Sequence, residues 1–292
     1  MTRLDDLAED YERARAHLIR VAYAILGSRA EAEDVVSEAW LRLSAADETE
    51  PIRDVEAWAT VAVARAALDA LRSARVRRET YVGPWLPEPI LNLPAAQADP
   101  ADRVTLDDTV SFALLVVLES LTPAERTAWV LHDVFGLPFT EVADVVGRSP
   151  QAVRQLAARA RGHIREREPR VEIHAGQHTE AVAAFLKAAG GGNLDALIAT
   201  LDPDVVLTAD GGGEVNAARH PVCGADRVAR FLLGIAGNVA PDERLVSVPV
   251  NGGPGLALIG PHGVTTVVAL TFVDQRVHRI DFVRAPAKLR LA

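Results

Sequence analysis

The chain has 292 residues, 49% hydrophobic and 24% charged, which indicates a globular protein of two or three domains. The single cysteine, Cys223, excludes a disulfide framework and a cysteine-based metal site, and we expect it to be a buried, unreactive thiol. The acidic N-terminal segment and the short apolar runs predict neither a signal peptide nor a membrane span, so we expect a cytoplasmic protein without cofactor or metal.

The formal net charge of −9 conceals two basic segments. Residues 59–78 carry five arginines against one aspartate, and residues 145–169 carry six arginines against two glutamates. Basic segments in an acidic chain indicate contacts with phosphate groups. A solvated helix face would have the same composition, so at this point both interpretations stay open.

Residues 5–78 are predicted to be helical throughout, with a break at Gly27-Ser28. The helix after the break has an apolar stripe of Val35, Val36, Ala39, Trp40 and Leu43, opposite a charged face of Glu31, Asp34, Glu38 and Arg42. A polar loop is predicted at Ala45–Asp54. The next helix, from about Val55 to Arg77, has a predicted apolar face of Trp58, Val61, Ala62, Leu68 and Leu71. Its arginines collect toward its end, which would also suit the helix dipole.

A proline-rich segment, YVGPWLPEP, occupies residues 81–89. Three prolines and a glycine exclude a helix, because proline removes an amide donor and fixes φ. Its Tyr, Trp, Val and Leu side chains are too apolar for a flexible spacer, which would be polar and rich in Gly and Ser. With Leu91–Pro100 it forms a linker of about 25 residues, which is long enough that we expect either disorder or a function.

Helices resume over residues 101–168. Thr122-Pro123-Ala124-Glu125 has the form of a capping box and predicts a helix through about Val134. A helix at Phe139–Val146, a glycine turn and an N-cap at Ser149-Pro150 then predict a helix-turn-helix. In its second helix, the predicted inward residues are Val153, Leu156, Ala157, Ala160 and Ile164.

The outward face of that second helix has the residue types that contact DNA. Gln151, Arg154 and Gln155 stand at the N-terminal half, where Arg can contact guanine and Gln can contact adenine with two hydrogen bonds. Arg148, Arg159, Arg161 and Arg165 would bind phosphates and fix the register. A helical hairpin with a solvated basic face is the alternative.

The sequence pattern changes after residue 170. Two short helices at about 177–189 and 193–201, a strand at Val205–Ala209 and the loop Asp210–Gly213 precede a helix from Ala225 to about Ile235. Four strands follow, which we predict to form an antiparallel sheet: Leu245–Val250, Leu256–Ile259, Val264–Val273 and Val277–Val283. The order predicts an α+β domain.

Three of these segments carry a family resemblance. GSRAEAEDVVSEAWLRL, EAWATVAVARAALDALRSAR and the capping-box-to-helix-turn-helix segment resemble regions 2.2, 2.3–2.4 and 4 of the extracytoplasmic-function sigma factors of bacterial RNA polymerase. The resemblance covers over half the chain. It implies two all-α sigma domains, a region 2 helical bundle (residues 1–78) and a region 4 helix-turn-helix (residues 107–168), joined by a linker at 79–106.

The resemblance also implies a role for each matching residue. Asp34, Glu38 and Arg42 would dock on core RNA polymerase. The loop at about Glu50–Asp54 and the helix after it would bind the promoter −10 element, where an unstacked base is captured. The residues implied there are Trp58, Arg65, Asp69, Arg72 and Arg75, although Trp58 could equally pack in the core. Those implied at the −35 element are Arg148, Gln151, Arg154, Gln155, Arg159 and Arg161.

The linker and the C-terminal domain resemble a subgroup of these sigma factors with a SnoaL-like extension, whose cone-shaped fold is shared with the nuclear-transport-factor-2 (NTF2) group. That resemblance implies a regulatory domain at residues 170–292 that acts in cis. The implied interdomain residues are Trp85, Leu86, Pro87, Asp210, Gly211, Gly212, Gly213 and Lys288. The subgroup's NPDKL-like motif is degraded here to Ala285-Pro286-Ala287-Lys288-Leu289.

The alternative is a SnoaL-like enzyme or small-ligand sensor fused to a DNA-binding module. An enzyme of this fold would use Asp210, His220 or His174 as acid or base, but these residues have no diagnostic spacing. An aspartate before three glycines is as readily a turn residue. We therefore expect a promoter-specificity factor that is not an enzyme, with an unidentified small ligand as a possible further partner.

Overall fold

The computed structural model describes residues 3–78, 81–91, 110–167 and 175–289. These residues group into two compact units. The first unit holds 3–78, Val110 and 114–167, and the second holds 81–91, 111–113 and 175–289. The proline-rich segment 81–91, called the tether below, is therefore grouped with the C-terminal residues.

Three long helices build the first part of the helical unit: α1 (Arg3–Leu26), α2 (Arg29–Thr49) and α3 (Val55–Arg78). The predicted break lies between α1 and α2, where Gly27 has a φ of 70° and the Ser28 hydroxyl accepts a hydrogen bond from the Glu31 amide. The predicted loop was wrong at its start, because α2 continues to Thr49. The Asp47 carboxylate, which accepts hydrogen bonds from Arg3 and the Ile52 amide, holds this end of α2 in place.

The buried face of α3 differs in part from the prediction. Leu68 and Leu71 are buried as expected, but Trp58, Val61 and Ala62 are only half-buried. The fully buried positions are mostly small: Ala59, Val63, Ala64 and Ala67. Small side chains on a helix allow a neighbouring helix to approach closely, and α1 packs along α3. A hydrophobicity pattern gives alanine too little weight to locate such a face.

Four more helices lie between residues 110 and 167: α4 (Phe112–Leu118), α5 (Pro123–Trp129), α6 (Phe139–Val146) and α7 (Pro150–Arg167). The predicted capping box is present at the start of α5, and a π-helical turn at Val130–Val134 prolongs this helix. Gly147, with a φ of 70°, ends α6, and the Ser149 hydroxyl caps α7. All five residues predicted to face inward on α7 are buried, so the helix-turn-helix is confirmed.

The C-terminal unit contains helices α8 (Ala175–Gly190), α9 (Leu194–Thr200), α10 (Ala225–Ala236) and α11 (Pro286–Leu289). Its strands are β1 (Leu201–Asp210), β2 (Val222–Cys223), β3 (Arg244–Ser247), β4 (Gly255–Gly260), β5 (Gly263–Val273) and β6 (Arg276–Val283). They form one sheet in the order β2-β1-β6-β5-β4-β3. The sequence did not predict β2 or α11, and Cys223 in β2 is exposed rather than buried.

The antiparallel arrangement predicted for the last four strands is confirmed, but the sheet as a whole is mixed. Strands β3 to β6 form the expected antiparallel meander, but β1 pairs parallel to β6. The chain leaves β1, passes through α10 and returns through the meander, so that the last strand runs beside the first in the same direction. No local pattern encodes such a pairing, since its partners are over 70 residues apart.

The two faces of the sheet have different coverings. Leu207 and Ile280 are register partners and belong to the apolar core beneath the helices. Because side chains alternate along a strand, Thr208 and Asp281, also partners, point to the opposite face. Asp210 follows Thr208 on that opposite face.

No helix within the described ranges is long and apolar enough to cross a membrane.

Candidate functional site

The outward face of α7 presents the predicted base-contacting residues to solvent. Gln151, Arg154 and Gln155 are all exposed, and so is Arg148 in the turn before the helix. The Arg154 guanidinium carbon lies 5.3 Å from the ring centroid of Phe139, at the start of α6. This cation–π contact orients Arg154 while leaving its hydrogen-bond donors available.

Two of the predicted phosphate-binding arginines are held by neighbouring carboxylates. Arg159 donates to Glu125 over 2.9 Å, and Arg161 donates twice to Asp133 over 2.6 and 3.1 Å. Burial favours a higher pKa for Glu125, but hydrogen bonds from Arg159 and Thr122 outweigh it and hold the pKa below its usual value. Both arginines are therefore partly neutralised by carboxylates of the protein itself.

Two of the three predicted −10 arginines on α3 contact backbone oxygens within residues 110–167. Arg65 donates to the backbone oxygen of Asp144 over 3.3 and 3.2 Å. Arg75 donates to the backbone oxygen of Leu121 over 3.3 Å. Both acceptors belong to the same compact unit as α3. Helix α3 is thus packed against residues 110–167 of the helical unit in this structure.

A buried arginine strengthens the same packing. Arg126, on α5, is 1% exposed and pairs with Glu119, and it donates to the backbone oxygen of Ala24 over 3.3 Å. Sequence analysis missed this residue, since an arginine in a helix ordinarily lies at the surface. Its contact with α1 ties the capping-box helix to the first helix of the chain.

The remaining −10 candidates lie at the surface. Asp69 and Arg72 form an exposed ion pair of 2.9 Å on α3, and Trp58 is half-buried, which leaves both of its predicted roles open. The structure therefore distributes the five −10 candidates along one helix.

The charged face of α2 is exposed as predicted. Asp34 faces solvent, and Glu38 pairs with Arg42 over 2.7 Å at the surface. Between them Leu41 is 65% exposed, although leucine is a residue type that is mostly buried. This leucine and the charged residues share one solvent-facing surface of α2.

Asp210 is the centre of the tether site. Its carboxylate is fully buried and accepts four hydrogen bonds: from the Tyr81 hydroxyl (2.6 Å), the Leu86 amide (2.8 Å), the Lys288 ammonium (2.6 Å) and the Gly212 amide (3.0 Å). Two of these donors belong to the tether and two to the C-terminal residues. The carboxylate therefore bonds the tether to the sheet.

Lys288 completes this site from α11. Its ammonium group lies 3.9 Å from the Trp85 ring centroid and 5.4 Å from that of Tyr81, and it also donates to the backbone oxygen of Leu86. The ammonium group is largely removed from water, and the two aromatic rings and the Asp210 carboxylate compensate its positive charge. Although its motif is degraded, the chain retains this contact through Lys288.

The glycines after Asp210 allow the close approach of the chain. A Cβ on Gly211 would lie 2.3 Å from the backbone oxygen of Val215, so a side chain does not fit. Gly212 has a φ of 68°, a conformation that glycine adopts without strain. A Cβ on Gly213, whose φ is 75°, would be 3.5 Å from the Val82 Cβ of the tether.

A second clamp fixes the other end of the tether. The Ile90 amide donates to the side-chain oxygen of Asn251 over 3.0 Å, and the Asn251 amide donates to the Ile90 oxygen over 2.9 Å. Asn251 has a φ of 48°, a region that asparagine tolerates better than most residues. Leu86 and Pro87 are buried between the two clamps. Sequence analysis missed Asn251, which it could have recognised only as a turn residue before Gly252-Gly253.

The acid–base candidates of the C-terminal domain do not converge. Asp210 is enclosed by its four donors, His220 is exposed, and His174 lies outside the described residues. Over the residues that the structure describes, no group of three or more His, Cys, Asp or Glu could hold a metal ion.

Comparison with known proteins identifies the family. Family models for Sigma-70 region 2 and Sigma-70 region 4 match residues 11–77 and 111–164. The ECF (extracytoplasmic-function) RNA polymerase sigma factor SigJ of Mycobacterium tuberculosis is 44% identical over 233 residues, 80% of this chain and 74% of that protein. The chain belongs to the ECF RNA polymerase sigma factors. The probable ECF RNA polymerase sigma factor SigI of the same species is 36% identical over 295 residues. That alignment covers 99% of this chain and 97% of SigI.

A solved structure extends the likeness to the whole fold. The crystal structure of the Mycobacterium tuberculosis SigJ matches with a TM-score of 0.79 and 37% identity, covering 98% of this chain and 99% of that one. This confirms the predicted fold class, two helical sigma parts followed by an α+β domain. In this sigma factor, region 2 corresponds to α1–α3 and region 4 to α4–α7.

Proposed function

We propose that this sigma factor directs core RNA polymerase to promoters with a −10 and a −35 element, and that its C-terminal domain regulates it in cis by holding the tether. The observation that carries the regulatory part is the buried Asp210 carboxylate, which accepts from both the tether and Lys288. The expected division is region 2 at 1–78, a linker at 79–106, region 4 at 107–168 and a SnoaL-like domain at 170–292.

The exposed face of α7 supports its role at the −35 element. Gln151, Arg154 and Gln155 are solvent-exposed at the N-terminal half of a capped helix, the part of a recognition helix that contacts base edges. Arg148 and Arg165 flank them and would bind phosphates. Arg159 and Arg161 would join them after leaving Glu125 and Asp133.

Promoter binding requires the helical unit to open. The −10 and −35 elements are about 25 base pairs apart, or roughly 85 Å of B-form DNA at about 3.4 Å per base pair. In this structure Arg65 on α3 touches Asp144 on α6, so the two parts could not reach both elements at once. The contacts of Arg65, Arg75 and Arg126 would break on promoter binding, and the arginines on α3 would then be available to the DNA backbone.

The tether gives the C-terminal domain a physical means to oppose that opening. Only two residues separate the end of α3 from Tyr81, so the chain there can span about 11 Å at most. The tether is also part of the chain that joins region 2 to region 4, and its 11 residues could extend over about 36 Å at about 3.3 Å per residue. Holding the tether would remove this length from the span between the two regions and would therefore favour the packed, inactive arrangement of the helical unit.

The exposed face of α2 would bind core polymerase. Asp34, Glu38 and Arg42 lie together with the exposed Leu41, which offers an apolar contact inside a charged rim. An acidic surface on a DNA-directed protein is explained if it faces a protein partner.

We further propose that the C-terminal domain does not catalyse a reaction. An acid–base group must reach a bound substrate, whereas the Asp210 oxygens already accept four hydrogen bonds within the protein. Its role would be structural control of the tether.

Run-off transcription tests the sigma-factor role. The full chain is combined with core RNA polymerase and a pool of promoter templates, and a discrete transcript that depends on both proteins is the expected result. Binding of the protein to DNA without initiation from any template would contradict the proposal.

A further inference from the structure

The C-terminal domain contains a second feature that the tether does not use, a cavity of about 480 Å³ between its helices and the inner face of its sheet. Most of its wall is apolar, including Phe185, Leu186, Phe231, Leu256 and Phe282. Small-molecule sites in proteins are of this size, about 300–1,000 Å³, and have this composition. Side chains in protein interiors otherwise leave few voids larger than a water molecule.

The cavity opens to solvent through an apolar mouth. Val239 and Leu245 line it and are 44% and 52% exposed, which makes them two of the most exposed large hydrophobic side chains in the described chain. Exposed apolar side chains at the rim of an apolar cavity indicate an entry path for an apolar molecule.

Two charged side chains, Glu243 and Arg284, also line the cavity. The Glu243 carboxylate is bound by the Ala240 amide (3.0 Å) and the Thr265 hydroxyl (2.8 Å). The hydrogen bond from Ala240, and to a smaller extent that from Thr265, holds the pKa of Glu243 below its usual value. Arg284 donates one hydrogen bond, to the backbone oxygen of Asn216, out of the five that a guanidinium can make. Asn216, Asn238 and Thr266 also line the cavity, but Arg284 is the one cationic donor among its lining residues.

From these observations we infer that the cavity binds an apolar small molecule that carries an oxygen acceptor, a ketone or a carboxylate, and that Arg284 donates to this oxygen. The apolar body would lie against the aromatic and aliphatic wall. Glu243 offsets part of the positive charge, so the acceptor need not be ionised.

Arg284 and its neighbours connect this cavity to the tether site. The Arg284 and Ala285 amides donate to the backbone oxygen of Asp210 over 2.7 and 3.1 Å. The loop that starts at Asp210 lines the cavity with Asn216, while its Gly213 packs against Val82 of the tether. A ligand that engages Arg284 would therefore act on the same loop that holds the tether. This coupling rests on the proposed role of the tether; binding itself does not.

Three naphthalene probes of matched size test the site on the full chain. They are 2-acetylnaphthalene (a ketone), 2-naphthoate (a carboxylate) and 2-isopropylnaphthalene (no acceptor), with binding measured by fluorescence titration. The inference expects the ketone or the carboxylate to bind at least ten-fold more tightly than the hydrocarbon, and the stronger of the two identifies the acceptor. Equal affinity for all three probes, or no binding by any, would overturn it.

Two pairs of variants locate the binding. Arg284→Met is expected to remove the ten-fold preference for the acceptor, whereas Arg230→Met, which removes an exposed arginine of α10, should leave it intact. Ala189→Phe places a ring in the cavity and should abolish binding of every probe, whereas Ala184→Phe, at an exposed position of the same helix, should not. Probe binding that survives Ala189→Phe would overturn the site even if Arg284→Met failed to fold.

Limited proteolysis of the tether with and without the bound probe tests the coupling separately. A change in the cleavage rate at 81–91 of at least three-fold is expected. Tight binding with no change in cleavage would overturn the coupling but not the binding site. Neither outcome decides whether the tether regulates transcription.

Discussion

The Lys288 ammonium lies 2.6 Å from a carboxylate oxygen of Asp210, although 78 residues separate the two in the chain. Asp210 is fully buried, and the Lys288 side chain is 13% exposed. The same carboxylate accepts from the tether, so this ion pair and the anchoring of the tether are one structure.

Lys288→Met is expected to loosen the tether. Removing one partner of a buried ion pair costs about 3–5 kcal/mol, because the other charge is left uncompensated. Cleavage within residues 81–91 by a protease of broad specificity should become at least several-fold faster. Lys187→Met, at an exposed position of α8, is the matched control and should leave the rate unchanged. Equal cleavage of the two variants would show that the pair does not hold the tether.

Trp85→Ala should have a smaller effect in the same direction. The ring contributes a cation–π contact to Lys288, and such a contact is typically worth about 2 kcal/mol when desolvated. Trp85→Phe retains an aromatic face and should lie between the wild type and the alanine variant in protease sensitivity. If all three proteins were cleaved alike, the segment would be an ordinary linker.

Arg154→Ala should relax base preference at one position of the −35 element. A bidentate contact between a side chain and a base is worth about 1–3 kcal/mol of discrimination. Arg165→Ala, by contrast, should weaken binding to every sequence equally and reduce the salt dependence, as expected for a phosphate contact. Binding of each variant to a set of single-base promoter variants is the measurement. A uniform loss for Arg154→Ala would reassign Arg154 to the DNA backbone.

Asp133→Asn should increase the affinity for DNA. Arg161 is paired with Asp133 in this structure, and neutralising the carboxylate frees the guanidinium for a phosphate. We expect a gain of about three- to ten-fold at low salt, consistent with a surface pair worth about 1 kcal/mol, which shrinks as the salt concentration rises. Glu141→Gln, at an exposed position of α6, removes the same charge without a paired arginine and serves as the control. If both variants gained equally, the effect would be one of net charge alone.

The buried Asp281 should give the stability a pH dependence of its own. Burial raises its pKa above the ordinary value of 3.8, and its ion pair with Arg279 only partly opposes this. The folded protein then binds the proton more tightly than the unfolded chain, so the contribution of Asp281 to the free energy of unfolding falls as the pH rises above 3.8. Denaturant unfolding of the wild type and Asp281→Asn should show a difference that changes in this direction. A difference independent of pH would mean that Asp281 keeps its ordinary pKa.

Local signals in the sequence predicted the parts of the fold that local chemistry determines. The capping box at Thr122, the cap at Ser149 and the inward face of α7 depend on neighbours within one or two turns, and all are present. The contacts that close the protein are different. Ile90 and Asn251 are 161 residues apart, and each alone has the pattern of an ordinary loop residue.

The same distinction explains the errors and omissions. The parallel pairing of β1 with β6 depends on a crossover through α10, and the buried face of α3 depends on alanines whose weight in a hydrophobic pattern is small. The neutralisation of Arg161 by Asp133 spans 28 residues and two elements. The positions of Arg159 and Arg161 on α7 could be recognised from the sequence. Their pairing with Glu125 and Asp133 could not, because each partner lies in another element.

The most direct test of the account is run-off transcription with limiting core RNA polymerase, comparing Lys288→Met with Lys187→Met at equal protein concentrations. If the C-terminal domain restrains this sigma factor through the anchored tether, Lys288→Met should yield several-fold more transcript at low sigma concentration, with the two variants converging at saturation. Equal transcript from both variants at every concentration, with the tether shown by proteolysis to be released, would contradict the account.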